Sequence, residues 1–160
     1  MKIYCDGSAN PNPGPGGFGV LALDKDEKIC YHIYRESSQE TTNNREELKA
    51  ILYCMKHFGV LTNGEDEFNL PIVYSDSAYA INSYTNWMFS WEKNNWRKLD
   101  GGKIENLDLI SEYFELYQKG YRIHLVKVKG HSGNKWHDFV DDLAANRKPY
   151  YELKENIVDE

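Results

Sequence analysis

The chain has 160 residues and a formal charge of −6; 41% of it is apolar and 14% aromatic. That is the size of one domain, able to hide roughly 70% of its unfolded surface, which excludes a collagen-like or disordered chain. No apolar run approaches the roughly 18–20 residues of a membrane span, the start MKIYCDGSAN lacks the apolar stretch of a secretory signal, and Cys5, Cys30 and Cys54 are odd in number without metal-site spacing, so a cytoplasmic protein with buried free thiols is expected.

Residues 2–5 read as a first strand. Residues 10–17, rich in Gly and Pro, are expected in neither strand nor helix. Residues 18–24 and 29–34 read as two further strands joined by the polar turn Lys25-Asp26-Glu27, so the first three strands are antiparallel. Leu48, Ile51, Leu52, Met55 and Phe58 recur at helical spacing and predict a long helix opening within residues 41–44 and ending at Gly59. Residues 71–74 are a short apolar fourth strand, after which Ser75-Asp76-Ser77 opens a helical stretch from Ala78 to about Trp87. Residues 87–103 are aromatic and basic and end at Gly101-Gly102. Leu107, Ile110, Phe114 and Tyr117 mark another helix, stopped by Gly120; residues 121–128 are a fifth strand and 130–133 a loop. The last helix is read over 138–147, ended by Pro149. This mixture of hairpins and crossovers predicts an α/β fold, a mixed sheet with helices on both faces. Residues 1–148 are expected to form one domain, with no further domain before it, and 149–160 a disordered acidic tail.

Asp6 and Asp76 close the first and fourth predicted strands, where open α/β sheets bind ligands. Glu47 lies early in the long helix and Asp141 in the first half of the last one. If the two strands are parallel neighbours, four carboxylates converge. Like charges that close repel and demand cations, and an all-oxygen donor set suits Mg²⁺ or Mn²⁺ rather than zinc. Each acid also has an ordinary structural reading: Asp76 as a helix N-cap, Asp6 as a turn residue, Asp138, Asp141 and Asp142 as a solvated helix face. Asn43-x-x-Glu46 matches a capping box, which gives Glu46 a structural job and leaves Glu47 free. His131 sits between glycines on a loop after a strand end, placed either to shuttle protons or simply to face solvent. His137 and Asp141, at i and i+4, face the same way, but two further zinc ligands are missing. Trp87, Trp91 and Trp96 interleave with Lys93, Arg97 and Lys98; tryptophans are expected inward and bases outward, a surface suited to a nucleic-acid backbone.

Six blocks in order carry a family resemblance: Asp6-Gly7-Ser8 with Asn12-Pro13-Gly14-Pro15-Gly16-Gly17; Thr41-Thr42-Asn43-Asn44-Arg45-Glu46-Glu47-Leu48; Tyr74-Ser75-Asp76-Ser77; the tryptophan-basic segment; Lys129-Gly130-His131-Ser132-Gly133; and Asp141-Asp142-Leu143-Ala144. Together they resemble type 1 ribonuclease H, over nearly the whole chain. The resemblance implies a five-stranded mixed sheet and a monomeric endonuclease. Its activity would be hydrolysis of the RNA strand of RNA–DNA hybrids, with two Mg²⁺ ions per site in the substrate complex (Mn²⁺ the alternative), leaving 5′-phosphate and 3′-hydroxyl ends. It implies Asp6, Glu47, Asp76 and Asp141 as the metal-binding catalytic carboxylates, with Glu47 chosen over Glu46 because it directly precedes the leucine. It implies His131 as the catalytic loop histidine. Asn12, Asn43 and Asn44 would touch the strands near the site, Thr42 a DNA phosphate, and Trp87, Lys93, Trp96, Arg97 and Lys98 would grip the DNA strand. Two positions depart from the family pattern. His137 stands where Asn is usual at a substrate phosphate, and Ala78 where a larger side chain reaches the minor groove, so both contacts are expected to be altered. The rival readings are a non-catalytic nucleic-acid-binding module and a DNA or junction nuclease on the same fold; the complete carboxylate set and the asparagines argue against them.

The acidic total does not exclude a polyanion partner, because the charge is segregated. Outside the four carboxylates and residues 149–160, the remainder is +1; residues 119–135 hold five bases and no acid. Salt-sensitive binding is expected.

Overall fold

A computed structural model describes residues 1–63, 69–130 and 132–146. The chain runs β1 (Lys2–Ala9), β2 (Gly14–Leu23), β3 (Cys30–Thr41), α1 (Asn43–Phe58), β4 (Val60–Leu61), β5 (Ile72–Ser75), α2 (Ala78–Asn82), a π-helical turn (Ser83–Trp87), α3 (Met88–Lys93), α4 (Leu107–Gln118), β6 (Tyr121–Arg122), β7 (His124–Lys127) and α5 (Lys135–Ala145). The sheet has five strands in the order β3-β2-β1-β5-β7. The pairs among β1, β2 and β3 are antiparallel, and those of β1 with β5 and β5 with β7 are parallel, so the mixed sheet is as expected.

β1 is central and buried on both faces, and its alternation divides the core. Ile3 and Cys5 pack with Leu48, Ile51 and Met55 of α1 and Ile110 and Tyr113 of α4. Tyr4 packs on the opposite side with Leu21, Leu23 and the α5 residues Trp136, Phe139, Val140 and Leu143. Each fully buried aliphatic side chain contributes about 1.5–3 kcal/mol, so α1 and α5 clamp β1 from both faces. Cys5 and Cys54 are buried and Cys30 half-buried; none of the three is in a disulfide. Among the described residues no helix is long and apolar enough to cross a membrane.

Several boundaries differ from the sequence reading, each for a physical reason. β1 continues past Cys5 to Ala9 because β2 goes on pairing with it, Asp6 opposite Gly19 and Ala9 opposite Gly16. Gly14 to Gly17, read as a breaker, lie inside β2; a Cβ on Gly17 would stand 2.5 Å from the Glu36 carbonyl oxygen, so backbone crowding rather than a turn calls for glycine. The α1 cap is Thr42, whose Oγ1 accepts from the Arg45 N–H at 3.1 Å. That shifts the frame by one residue, so the Asn43–Glu46 capping box does not form. Glu46 instead turns inward, fully buried, accepting from the Thr41 hydroxyl at 2.9 Å and pairing with Lys49 at 3.0 Å. The helical stretch after Ser77 runs through the π-helical turn to Lys93. The fifth strand splits at Ile123, and its first half pairs with β4 in a small second sheet. α5 begins at Lys135 because Asn134 caps it, its Oδ1 accepting from the Trp136 and His137 N–H groups, both at 3.0 Å. The tail 149–160 lies outside the described residues.

Candidate active site

The β1–β5 register brings the first two carboxylates together. Lys2 pairs with Ile72, Ile3 with Val73 and Tyr4 with Tyr74. Two residues further along each chain stand Asp6 and Asp76. Asp6 is therefore inside β1, level with the point where its parallel neighbour β5 stops at Ser75. Asp76 is not a helix cap; Ser77 takes that place, accepting from the Ala80 N–H at 3.0 Å.

Glu47 arrives from the first turns of α1. The helix lies against β1 at Gly7, where any Cβ would run into the Glu46 backbone. Asp6 is 4% exposed and Glu47 8%. Asp141, half-buried on α5, is near enough to Asp6 to raise its pKa. The loop leaving β7 passes close over Asp76: a Cβ on Gly130 would come within 2.7 Å of Asp76 Oδ2. Thus Asp6, Glu47, Asp76 and Asp141 do converge. His131 lies outside the described residues.

Burial and crowding set the electrostatics. Desolvation, reinforced by the Asp76 charge and by Asp141, pushes Asp6 up to about 7. Desolvation, with Asp6 and Asp76 nearby, holds Glu47 well above the usual carboxylate range. Asp76 goes the other way, lowered chiefly by its hydrogen bond with His137, which is itself raised by Asp76. Glu47 Oε2 is buried and has no hydrogen-bond partner. A buried, partnerless carboxylate oxygen is costly unless a proton or cation meets it. One donor atom each from Asp6, Asp76 and His137 lies within 4.8 Å of the other two, a spacing fit for one ion. The residues present therefore suit a divalent cation.

His137, expected at a substrate phosphate, is instead 2% exposed, with Nε2 3.2 Å from Asp76 Oδ2. Asn12 and Asn43 are exposed beside the site and link its elements. Asn12 Oδ1 accepts from the Asn43 N–H at 3.1 Å, and Asn43 Oδ1 from the Ala9 N–H at 2.7 Å. Asn44 is exposed and Thr42 half-buried at its cap; Ala78 is exposed at the start of α2. Lys93, Arg97 and Lys98 point outward as expected. Trp91 and Trp96 are half-buried, Trp96 edge-on to Phe114 at 5.1 Å. Trp87 corrects the inward expectation: it is 36% exposed, since Met88 beside it fills the core position.

One element escaped the sequence reading. Arg45 grips Asp108 with two hydrogen bonds of 3.0 and 2.6 Å, tying the first turn of α1 to the start of α4. The partners are 63 residues apart, so no local pattern announces the pair.

The RNase H family matches residues 1–148. A ribonuclease H of Caldanaerobacter subterraneus is 39% identical over 157 residues, 98% of this chain and 95% of that protein. One of Thermoanaerobacter sp. strain X514 is 38% identical over 148 residues, 92% of this chain and 88% of that one. Among solved structures, LC9-RNase H1, described as a type 1 RNase H with the type 2 active-site motif, is similar at a TM-score of 0.65 and 28% identity, covering 89% of this chain and 69% of that one. A foamy viral protease-reverse transcriptase solved in complex with RNA/DNA hybrid shares the fold at a TM-score of 0.68 and 15% identity, covering 89% of this chain and 19% of the viral one. Sheet order, converging carboxylates and these relatives agree: the chain belongs to the RNase H family and is a hydrolytic nuclease.

Proposed function

We propose that the protein is an endonuclease that hydrolyses the RNA strand of RNA–DNA hybrids with two divalent cations, leaving 5′-phosphate and 3′-hydroxyl ends, and that it works as a cytoplasmic monomer. The observation that carries this reading is the buried Glu47 carboxylate, its Oε2 unpartnered, next to Asp6 and Asp76. Mg²⁺ ions, when bound, supply an activated water and neutralise charge at the scissile phosphate. Asp6, Glu47, Asp76 and Asp141 are the residues that would hold them. His131 assists proton transfer or product release.

Substrate choice follows from the rim. The side-chain carbonyls of Asn12 and Asn43 are engaged by backbone N–H groups. Their amide nitrogens, with Asn44, are then the groups that meet the hybrid and its 2′-hydroxyls. Thr42 holds a DNA phosphate. Trp87, Trp96, Lys93, Arg97 and Lys98 hold the DNA strand further out.

The test is a labelled RNA–DNA hybrid beside duplex DNA, each with Mg²⁺ and then EDTA. Cutting of the RNA strand alone, dependent on Mg²⁺, is expected. Equal cutting of duplex DNA, or none of the hybrid, overturns the proposal.

A further inference from the structure

His137 is a nitrogen donor set directly against the carboxylate cluster, and its burial leaves it no route to a substrate phosphate. The Asn134 cap fixes the backbone beneath it through the His137 N–H at 3.0 Å. Its Nε2 stands 3.2 Å from Asp76 Oδ2, and an Asp6 oxygen completes a triplet within 4.8 Å. An octahedral ion with bonds of about 2.1 Å places adjacent donors about 3 Å apart and opposite donors about 4.2 Å apart. The 3.2 Å Nε2–Oδ2 pair has the spacing of adjacent donors, and a small inward shift brings the Asp6 oxygen onto the same ion. A second observation points to a ligand beside the triplet: the Oε2 of Glu47, a neighbour of Asp6 and Asp76, is buried and has no partner.

We propose that His137 is itself a metal ligand, so that Asp6, Asp76 and His137 form a mixed nitrogen–oxygen site selecting Mn²⁺ or another first-row transition ion over Mg²⁺. This rests on the reading of the carboxylates as the metal site and names the ion that site prefers. Imidazole suits transition ions, whereas Mg²⁺ favours oxygen. The far nitrogen, Nδ1, is buried without a partner. Binding an ion through Nε2 replaces the hydrogen bond to Asp76 and places the ring proton on Nδ1.

The test uses the full chain without substrate. Isothermal titration with Mn²⁺ and with Mg²⁺ gives the preference, and pulsed electron paramagnetic resonance of the Mn²⁺ form gives the nitrogen ligand. The wild-type protein is expected to show imidazole ¹⁴N modulation that changes on ¹⁵N-histidine labelling and persists in His131→Ala. His137→Asn is expected to lose that signal and to lower the Mn²⁺-over-Mg²⁺ preference by about tenfold or more. If His137→Asn does not fold, labelled wild-type and His131→Ala proteins still decide. Mn²⁺ bound with no histidine modulation, or a signal lost in His131→Ala, overturns the inference while leaving the metal site standing. Binding of neither ion overturns both.

Discussion

Tyr4 on β1 and Tyr74 on β5 are register partners, and their rings stack with centroids 4.8 Å apart. That pair pins the parallel register on which the meeting of Asp6 and Asp76 depends. Asp6→Asn keeps the shape of the side chain and removes its charge. It is expected to lower hybrid cleavage by about a thousandfold or more, measured with Mg²⁺, while the circular dichroism spectrum stays that of the wild type.

The same carboxylates make stability depend on pH. Asp6 is raised to about 7 and Glu47 well above its usual range, and His137 is raised as well. Unfolded, the acids titrate near pH 4 and histidine near pH 6.5. Across that interval the folded state holds more protons than the unfolded one, so stability falls as pH rises. Asp76, lowered by His137, works in the opposite sense: its contribution is present above its unfolded value and is lost as pH falls through the folded one. In EDTA the Tm is expected to fall between about pH 5 and about pH 8. Mg²⁺ at the upper end is expected to restore it, and Asp6→Asn to flatten the slope. Calorimetry across that range checks all three.

The helix periodicity of Leu48, Ile51 and Met55 and the hairpin turn at Lys25-Asp26-Glu27 were readable locally, because amphipathic spacing and turn chemistry act over a few residues. Strand ends were not, because pairing sets them. Asp6 looks like a strand end until Gly19 is known to lie opposite it. The four carboxylates were named through their element positions and the family resemblance. The orientation of His137 was beyond reach, since it depends on Asp76, 61 residues earlier. Trp87 misled for a related reason: the π-helical turn gives Met88 the core position.

The basic segment gives a prediction about affinity alone. Lys93, Arg97 and Lys98 are exposed. Replacing all three by Ala is expected to raise KM for the hybrid and leave kcat near the wild-type value. The slope of log affinity against log salt is expected to become shallower by about 2–3. A titration over several salt concentrations measures it.

Arg45 and Asp108 test the link between α1 and α4. Asp108 is 61% exposed at its side chain, so the pair is worth only about 1 kcal/mol. Lysine cannot reproduce the two parallel hydrogen bonds. Arg45→Lys is expected to lower Tm by about 2–4 °C, and Asp108→Asn to lower it similarly, with the double variant less than additive. Thermal melts of the three variants form the cycle.

Gly7→Ala places a methyl group against the Glu46 backbone. The helix must retreat from β1, at about 3 kcal/mol or more, and it carries Glu47 with it. Loss of Mg²⁺ binding in calorimetry is expected alongside a lower urea midpoint.

β1 sits in the middle of the sheet, yet two of the segments that complete its surroundings, β5 and α5, come much later in the chain. On a ribosome, the hairpins of β1, β2 and β3 emerge long before Asp141 and His137. With Asp141 in its proposed role, a stop before Lys135 is expected to leave a chain that does not cut the hybrid. The proposed site is completed in one step, when α5 docks on β1 and β2.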